Sequence, residues 1–295
     1  MPIHPPAPET FGALIEAYTQ TMQSMIDLGR GCREADFAKP TQCPGWSVQD
    51  QLSHVASLEQ WLAGGEYPAA EGDAERPAHV RGDMGAFTER GVAVRRDRPA
   101  ESVVDEIAEL LPLRQAQLYA VEDPEAVMPS PLGERPAAQV LRTRIFDLWC
   151  HLQDIRQALG RPGDLETAGA AVFMQMVFSA VPALVARKAQ VPVGQTVVIE
   201  STGPTTGRVG VRVEEGEDGR PVGVELFRRE ASGTGVLPVI DPETGQPVNH
   251  TSISLSTDAL TRRAAGRVST QDTHATVHGD EEIARRVLDA LTIAP

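Results

Sequence analysis

Cysteine is scarce in this chain: Cys32, Cys43 and Cys150 are the only three in 295 residues. None belongs to a C-x-x-C pair and none has a Cys/His cluster beside it, which excludes a zinc finger and a dithiol redox motif. Free thiols buried as small apolar side chains are the expectation for all three. Positive charge is also in deficit. Lys and Arg number 27 against 41 Asp and Glu, a formal charge of −14, so no basic stripe can develop over this background and nucleic acid is not an expected partner. Long apolar runs are missing as well. The longest, around 168–186, is interrupted by Gln175, Ser179 and Pro182, and no Lys/Arg-led apolar stretch opens the chain. The expectation is a soluble cytoplasmic protein without a membrane partner. Aromatics amount to only 4%, and the surplus of Ala, Gly, Pro and Arg points to a GC-rich bacterial genome.

What is present is enough for a substantial core. With 41% apolar and 23% charged residues, the chain has ordinary globular composition and the length of one large domain or two ordinary ones. Apolar residues recur at helical spacing from about Pro8 to Arg30. After Cys43-Pro44-Gly45-Trp46, Ser47 is placed to cap a second helix reaching about Ala63. A Pro/Gly-rich loop is expected over 66–83, then helices over 84–96 and 102–121, the latter kinked at Pro112. A strong helix follows over 137–159, stopped by Gly160-Arg161-Pro162-Gly163. Beyond one more apolar helix over 165–189, short alternating segments at 195–200, 209–213, 222–227 and 251–256 read as strands, and 281–291 as an amphipathic helix. The chain therefore reads as a helical bundle over 1–162 and a small α+β domain over 163–295.

The chemistry concentrates on the helix over 137–159. Asp147 and His151 are four residues apart and share one face, on a helix that is apolar almost all round. A carboxylate and an imidazole aimed into a bundle core cost several kcal/mol unless something compensates both, and a divalent cation does so. His54 sits at the edge of the apolar stripe of the second helix and would supply a third ligand, leaving a further position open. The same spacing admits another arrangement, since Arg144, Asp147, His151 and Asp154 could form an ion-pair ladder along one helix face. Spacing alone leaves both open. The remaining histidines, His4, His79, His250, His274 and His278, read as solvated, and Asp280 as the N-cap of the last helix.

The run from Cys43 to His54 (CPGWSVQDQLSH) and the run from Phe146 to Arg156 (FDLWCHLQDIR) resemble the two metal-binding segments of the DinB-like proteins, specifically the mycothiol-dependent maleylpyruvate isomerase family. The C-terminal half, through Ala265-Gly266-Arg267 and His278-Gly279-Asp280, is similar to that family's small domain. This resemblance implies a mixed architecture, an N-terminal DinB-like four-helix bundle followed by a small α+β, sterol-carrier-like domain. It implies a divalent metal, usually zinc, on His54, Asp147 and His151, with mycothiol as the co-substrate thiol and a small acidic electrophile as its target. It further implies that an arginine of the small domain helps bind the substrate, with Arg267 the best match and Arg262 and Arg263 as neighbours. One position departs from the pattern: the family commonly has Glu where this chain has the shorter Asp147. A cation favours thiolate over thiol, so the expected activity is a thiol S-transferase or isomerase, in a monomer or homodimer. The rival expectations are a metal-dependent hydrolase using bound water and a non-catalytic small-ligand binding protein.

Overall fold

The computed structural model describes residues 3–69, 76–227 and 249–293. The chain divides into two compact units, one of Pro8–Asp164 and one joining Met1–Ala7 to Leu165–Pro295. The opening strand β1 (Ile3–His4) belongs to the second unit because it pairs with a strand some two hundred residues later.

The first unit is helical: α1 (Phe11–Arg30), α2 (Glu34–Phe37), α3 (Val48–Leu62), α4 (Gly82–Ala93), α5 (Ala100–Tyr119) and α6 (Ala137–Leu159), with a minimal hairpin β2 (Val127–Met128) and β3 (Arg135–Pro136) before α6. Helices α1, α3, α5 and α6 form the bundle, each of α1 and α3 packing on both α5 and α6, while α4 lies on α3. Their apolar stripes close a core that includes Leu14, Tyr18, Met22, Leu52, Val55, Ile107, Leu148 and Ile155. The termini follow from local chemistry. Gly160 adopts φ +63°, the left-handed C-cap that ends α6. Pro112 is carried inside α5.

At the head of α3, Ser47 accepts from the Asp50 amide while the Asp50 carboxylate accepts from the Ser47 amide, a reciprocal capping box. Ser47→Ala removes half of it, and urea denaturation should report a loss of about 1 kcal/mol. A loss indistinguishable from zero would mean that the turn before it holds this helix end unaided.

In the second unit, α7 (Ala168–Ala183) runs on through a π-helical turn at Leu184–Lys188. The strands are β4 (Thr196–Thr202), β5 (Thr206–Glu215), β6 (Pro221–Glu225), β7 (His250–Leu255) and β8 (Ala275–His278), with α8 (Thr257–Ala264) and α9 (Glu281–Ala290) between and after the last two. The sheet order is β1-β5-β4-β7-β8, and β6 also pairs with β5. The β4–β7 pair is parallel and every other pair antiparallel. Alternate residues, Val197 and Ile199, Val209, Val211 and Val213, Ile253 and Leu255, are buried. Asp280 caps α9, as its place in the sequence suggested, accepting from the Glu282 and Ile283 amides.

The apolar run around Pro182 is less interrupted than its sequence suggested. Among the described residues, Ala168–Lys188 is one helical run long and apolar enough, by length and composition, to cross a membrane. Pro182 is carried inside α7, and the π turn follows it, in keeping with the single helix read over 165–189. Val172, Phe173, Val177, Phe178 and Val181 are buried, and the helix packs on β1, β5, β6 and α8.

Candidate metal centre

Two helices bring the three ligand candidates together. His54 lies one and a half turns inside α3, whose start is set by the turn before it. Gly45 takes φ +78°, and the Thr41 hydroxyl donates to the carbonyl of Trp46. Asp147 and His151 lie one turn apart on α6. The His54 Nε2 stands 3.2 Å from Asp147 Oδ2, and the His151 Nε2 stands 3.4 Å from Asp147 Oδ1. Among the described residues, His54, Asp147 and His151 offer ligand atoms that all lie within 4.8 Å of one another.

The surroundings suit a cation. Both imidazoles are buried and their ring centroids are 4.6 Å apart. The Trp46 indole packs on both, at 5.1 Å from His54 and 5.8 Å from His151. Behind His151, the fully buried Asp154 carboxylate approaches Nδ1 to 3.4 Å, an ion-pair distance at which that nitrogen makes no hydrogen bond. The buried Nδ1 of His54 has no hydrogen-bond partner. Two imidazoles and a carboxylate converging through Nε2, Nε2 and a carboxylate oxygen form a donor set that zinc and its neighbours accept.

Electrostatics divide the two histidines. Burial drives His54 down to about 4, and the nearby Asp147 only partly offsets this, so its ring is uncharged at neutral pH. Burial acts on His151 in the same direction, but Asp147 and Asp154 outweigh it and raise its pKa above the usual histidine value. Asp147 is held well below the carboxylate range: burial opposes its charge, while His151, His54 and Arg144 together prevail.

The ion-pair ladder is present as well, and it shares Asp147 and His151 with the three-residue group. Arg144 Nη1 donates to Asp147 Oδ2 at 2.6 Å, and the ladder continues through His151 to Asp154. Behind it lies a network that the sequence pattern did not announce. Glu59 of α3, fully buried, receives Arg144 Nε and Nη2 on Oε1 at 3.0 and 2.8 Å. Its Oε2 accepts from Arg114 Nε at 3.1 Å and from the Tyr18 hydroxyl at 2.6 Å.

His79 corrects an expectation. It is not a solvated loop residue: its Nε2 lies 3.1 Å from Glu89 Oε2, an oxygen that also accepts from the Trp46 indole at 2.9 Å. The His79 ring rests on Gly45, where a Cβ would come within 2.3 Å of it. Glycine at that position is therefore required twice, by φ and by space.

Arg267 lies in the second unit, half-buried just after α8, with Nη1 donating to the carbonyl of Ala265 at 3.1 Å. Arg263 is committed to structure, donating to the carbonyls of Leu288, Val268 and Asp289. Arg262 is buried.

Bundle and site define a class: a four-helix bundle carrying a His/Asp/His group on two of its helices, in a chain that also has a mixed-sheet α+β unit. Within the helical unit, residues 18–156 match the family model described as the mycothiol maleylpyruvate isomerase N-terminal domain. The resemblance read from the two segments around His54 and His151 is thereby met. No curated protein matches the chain. Among solved structures, the chain is similar to the mycothiol-dependent maleylpyruvate isomerase, with 14% identity, a TM-score of 0.51, and 91% of this chain and 93% of that one covered. It is similar also to a histidine-to-alanine mutant of that enzyme, with 12% identity, a TM-score of 0.50 and the same coverage. At these identities the likeness concerns the fold, and it spans the helical and the sheet units alike.

Proposed function

We propose that this chain is a mycothiol-dependent isomerase or S-transferase that holds a divalent cation, zinc, on His54, Asp147 and His151. The observation that carries this reading is the convergence of two buried imidazoles and a carboxylate within 4.8 Å, in a helical unit that matches a family model named for mycothiol and maleylpyruvate. Bound there, a divalent cation supplies the positive charge that makes a thiolate available at neutral pH. The chain's own residues do the rest. Burial keeps His54 uncharged, so its ring carries one lone pair, and Nε2 can offer it to a cation when the ring N–H sits on Nδ1. Asp147 contributes one negative charge, and Asp154, 3.4 Å behind His151, places a second one near that ring. The Trp46 indole walls the site on one side and keeps water from both imidazoles. The small acidic electrophile is assigned to Arg267 of the second unit, whose guanidinium suits a carboxylate.

The test uses the full chain purified without chelator. Stoichiometric metal by elemental analysis, and consumption of mycothiol in the presence of maleylpyruvate or another small acidic electrophile, are the expected results. Chelation should abolish the consumption and added Zn2+ restore it. Turnover that persists without any thiol would favour a hydrolase instead. Absence of both metal and turnover would leave a small-ligand binding protein.

A further inference from the structure

The four bundle helices each send one polar side chain into a single buried network: Tyr18 from α1, Glu59 from α3, Arg114 from α5 and Arg144 from α6. Glu59 needs only one guanidinium to be neutral, and Arg114 already provides it, with further donors going to the Leu62 carbonyl and the Gln117 side chain. Arg144 is therefore not required to balance Glu59. Its charge is matched by Asp147, whose Oδ2 it meets at 2.6 Å. The guanidinium is a rigid plane, so fixing one edge fixes the other. Glu59 Oε1 holds that edge through Nε and Nη2, and Nη1 is left aimed at Asp147. Asp147 needs such a support. Its side chain is 30% exposed, the least buried of the three candidate ligands.

We propose that Arg144 is a positioning residue for the metal site: clamped by Glu59, it pins Asp147 through Oδ2, the oxygen that also lies 3.2 Å from His54 Nε2, and so holds Oδ1, the oxygen facing His151, toward the cation. This rests on the metal-site reading above and adds to it a residue outside the three ligands. Arg144 contributes through the direction of its fork. A cation that merely competed for Asp147 would weaken metal binding, and removing it would tighten the site.

The experiment is a competition titration of the metal-free full chain with Zn2+ against a chromogenic chelator, repeated with Co2+ while recording the visible absorption. In Arg144→Met the stem is kept, and Glu59 retains Arg114 and Tyr18, so the bundle keeps a balanced interior. Affinity for Zn2+ should fall on the order of 10–100-fold, and the Co2+ spectrum should change shape as the carboxylate loses its fixed orientation. Arg144→Lys keeps the charge but cannot bridge Glu59 and Asp147 with one planar fork, so it too should lose about 10-fold or more. It also carries the test if the Met variant does not fold. Unchanged or tighter Zn2+ binding in Arg144→Met, or full recovery in Arg144→Lys, would overturn the positioning role. Failure of the underlying reading looks different: the unaltered chain would take up no Zn2+ at all, or would take it up equally well with His151 replaced.

Discussion

Replacing His151 with alanine is expected to abolish stoichiometric metal and thiol consumption together, while the far-UV circular dichroism of the bundle stays unchanged. The ring occupies the middle of the site. Its centroid is 4.6 Å from that of His54 and 5.8 Å from that of Trp46, and its two nitrogens face Asp147 and Asp154. Without it only one imidazole and one carboxylate remain, fewer than the three protein ligands of catalytic zinc sites. The fold should survive because the Tyr18–Glu59–Arg114–Arg144 network does not pass through His151. The cavity and the loss of a partner for Asp154 should cost about 1–3 kcal/mol, the ordinary range for a buried truncation. Elemental analysis and the thiol assay on the same preparation check both halves. Full metal occupancy in this variant would remove His151 from the site.

The parts of this arrangement that could be read in advance are the local ones. The α6 helix was bounded by Pro136 and Gly160, and both ends fall there in the structure. Asp147 and His151 were paired by the four-residue rise of a helix, which needs no knowledge of the fold. His54 was placed with them by its edge position on α3 and by the resemblance of its segment to a family motif. Glu59 and Arg114 escaped because charged helix residues are usually solvated and their partners lie 41 to 85 residues away. A signal was present nonetheless. Glu59 continues the stripe of Leu52, Val55 and Leu62, and Arg114 that of Ile107, Leu111 and Leu118. An ionisable residue on an apolar stripe demands an opposite charge from a facing helix. The second unit was less legible. The α8 helix buries Thr257, Thr261, Arg262 and Arg263 beside only two apolar residues, Leu260 and Ala264, so its buried face reads as largely polar. Strand β1 is two residues long and finds its partner only in the folded chain.

The stripe argument leads to the largest expected effect on stability. Glu59→Leu preserves volume but deletes the one carboxylate on which Tyr18, Arg114 and Arg144 converge. Arg144 keeps Asp147 and Arg114 keeps two neutral acceptors, but the charge on Arg114 is left uncompensated in a fully enclosed position. Breaking a buried pair from one side costs about 3–5 kcal/mol, and equilibrium denaturation in urea should show a loss of that size. The penalty comes from the stranded charge, so removing it should recover stability. The double variant Glu59→Leu with Arg114→Leu should be more stable than Glu59→Leu alone, although it carries one more substitution. A double variant less stable than the single one would mean that Arg114 acts mainly through its contacts with Leu62 and Gln117. Acid should not imitate the single variant near pH 4. Burial opposes the charge on Glu59, but Arg144 and Arg114 outweigh it and hold its pKa below the usual glutamate value. A carboxylate whose pKa falls on folding contributes stability above its unfolded value and loses it as pH drops through the folded one. The contribution of Glu59 should therefore fade only below the ordinary carboxylate range, and a stability curve that fell with the pKa of an exposed glutamate would contradict the network.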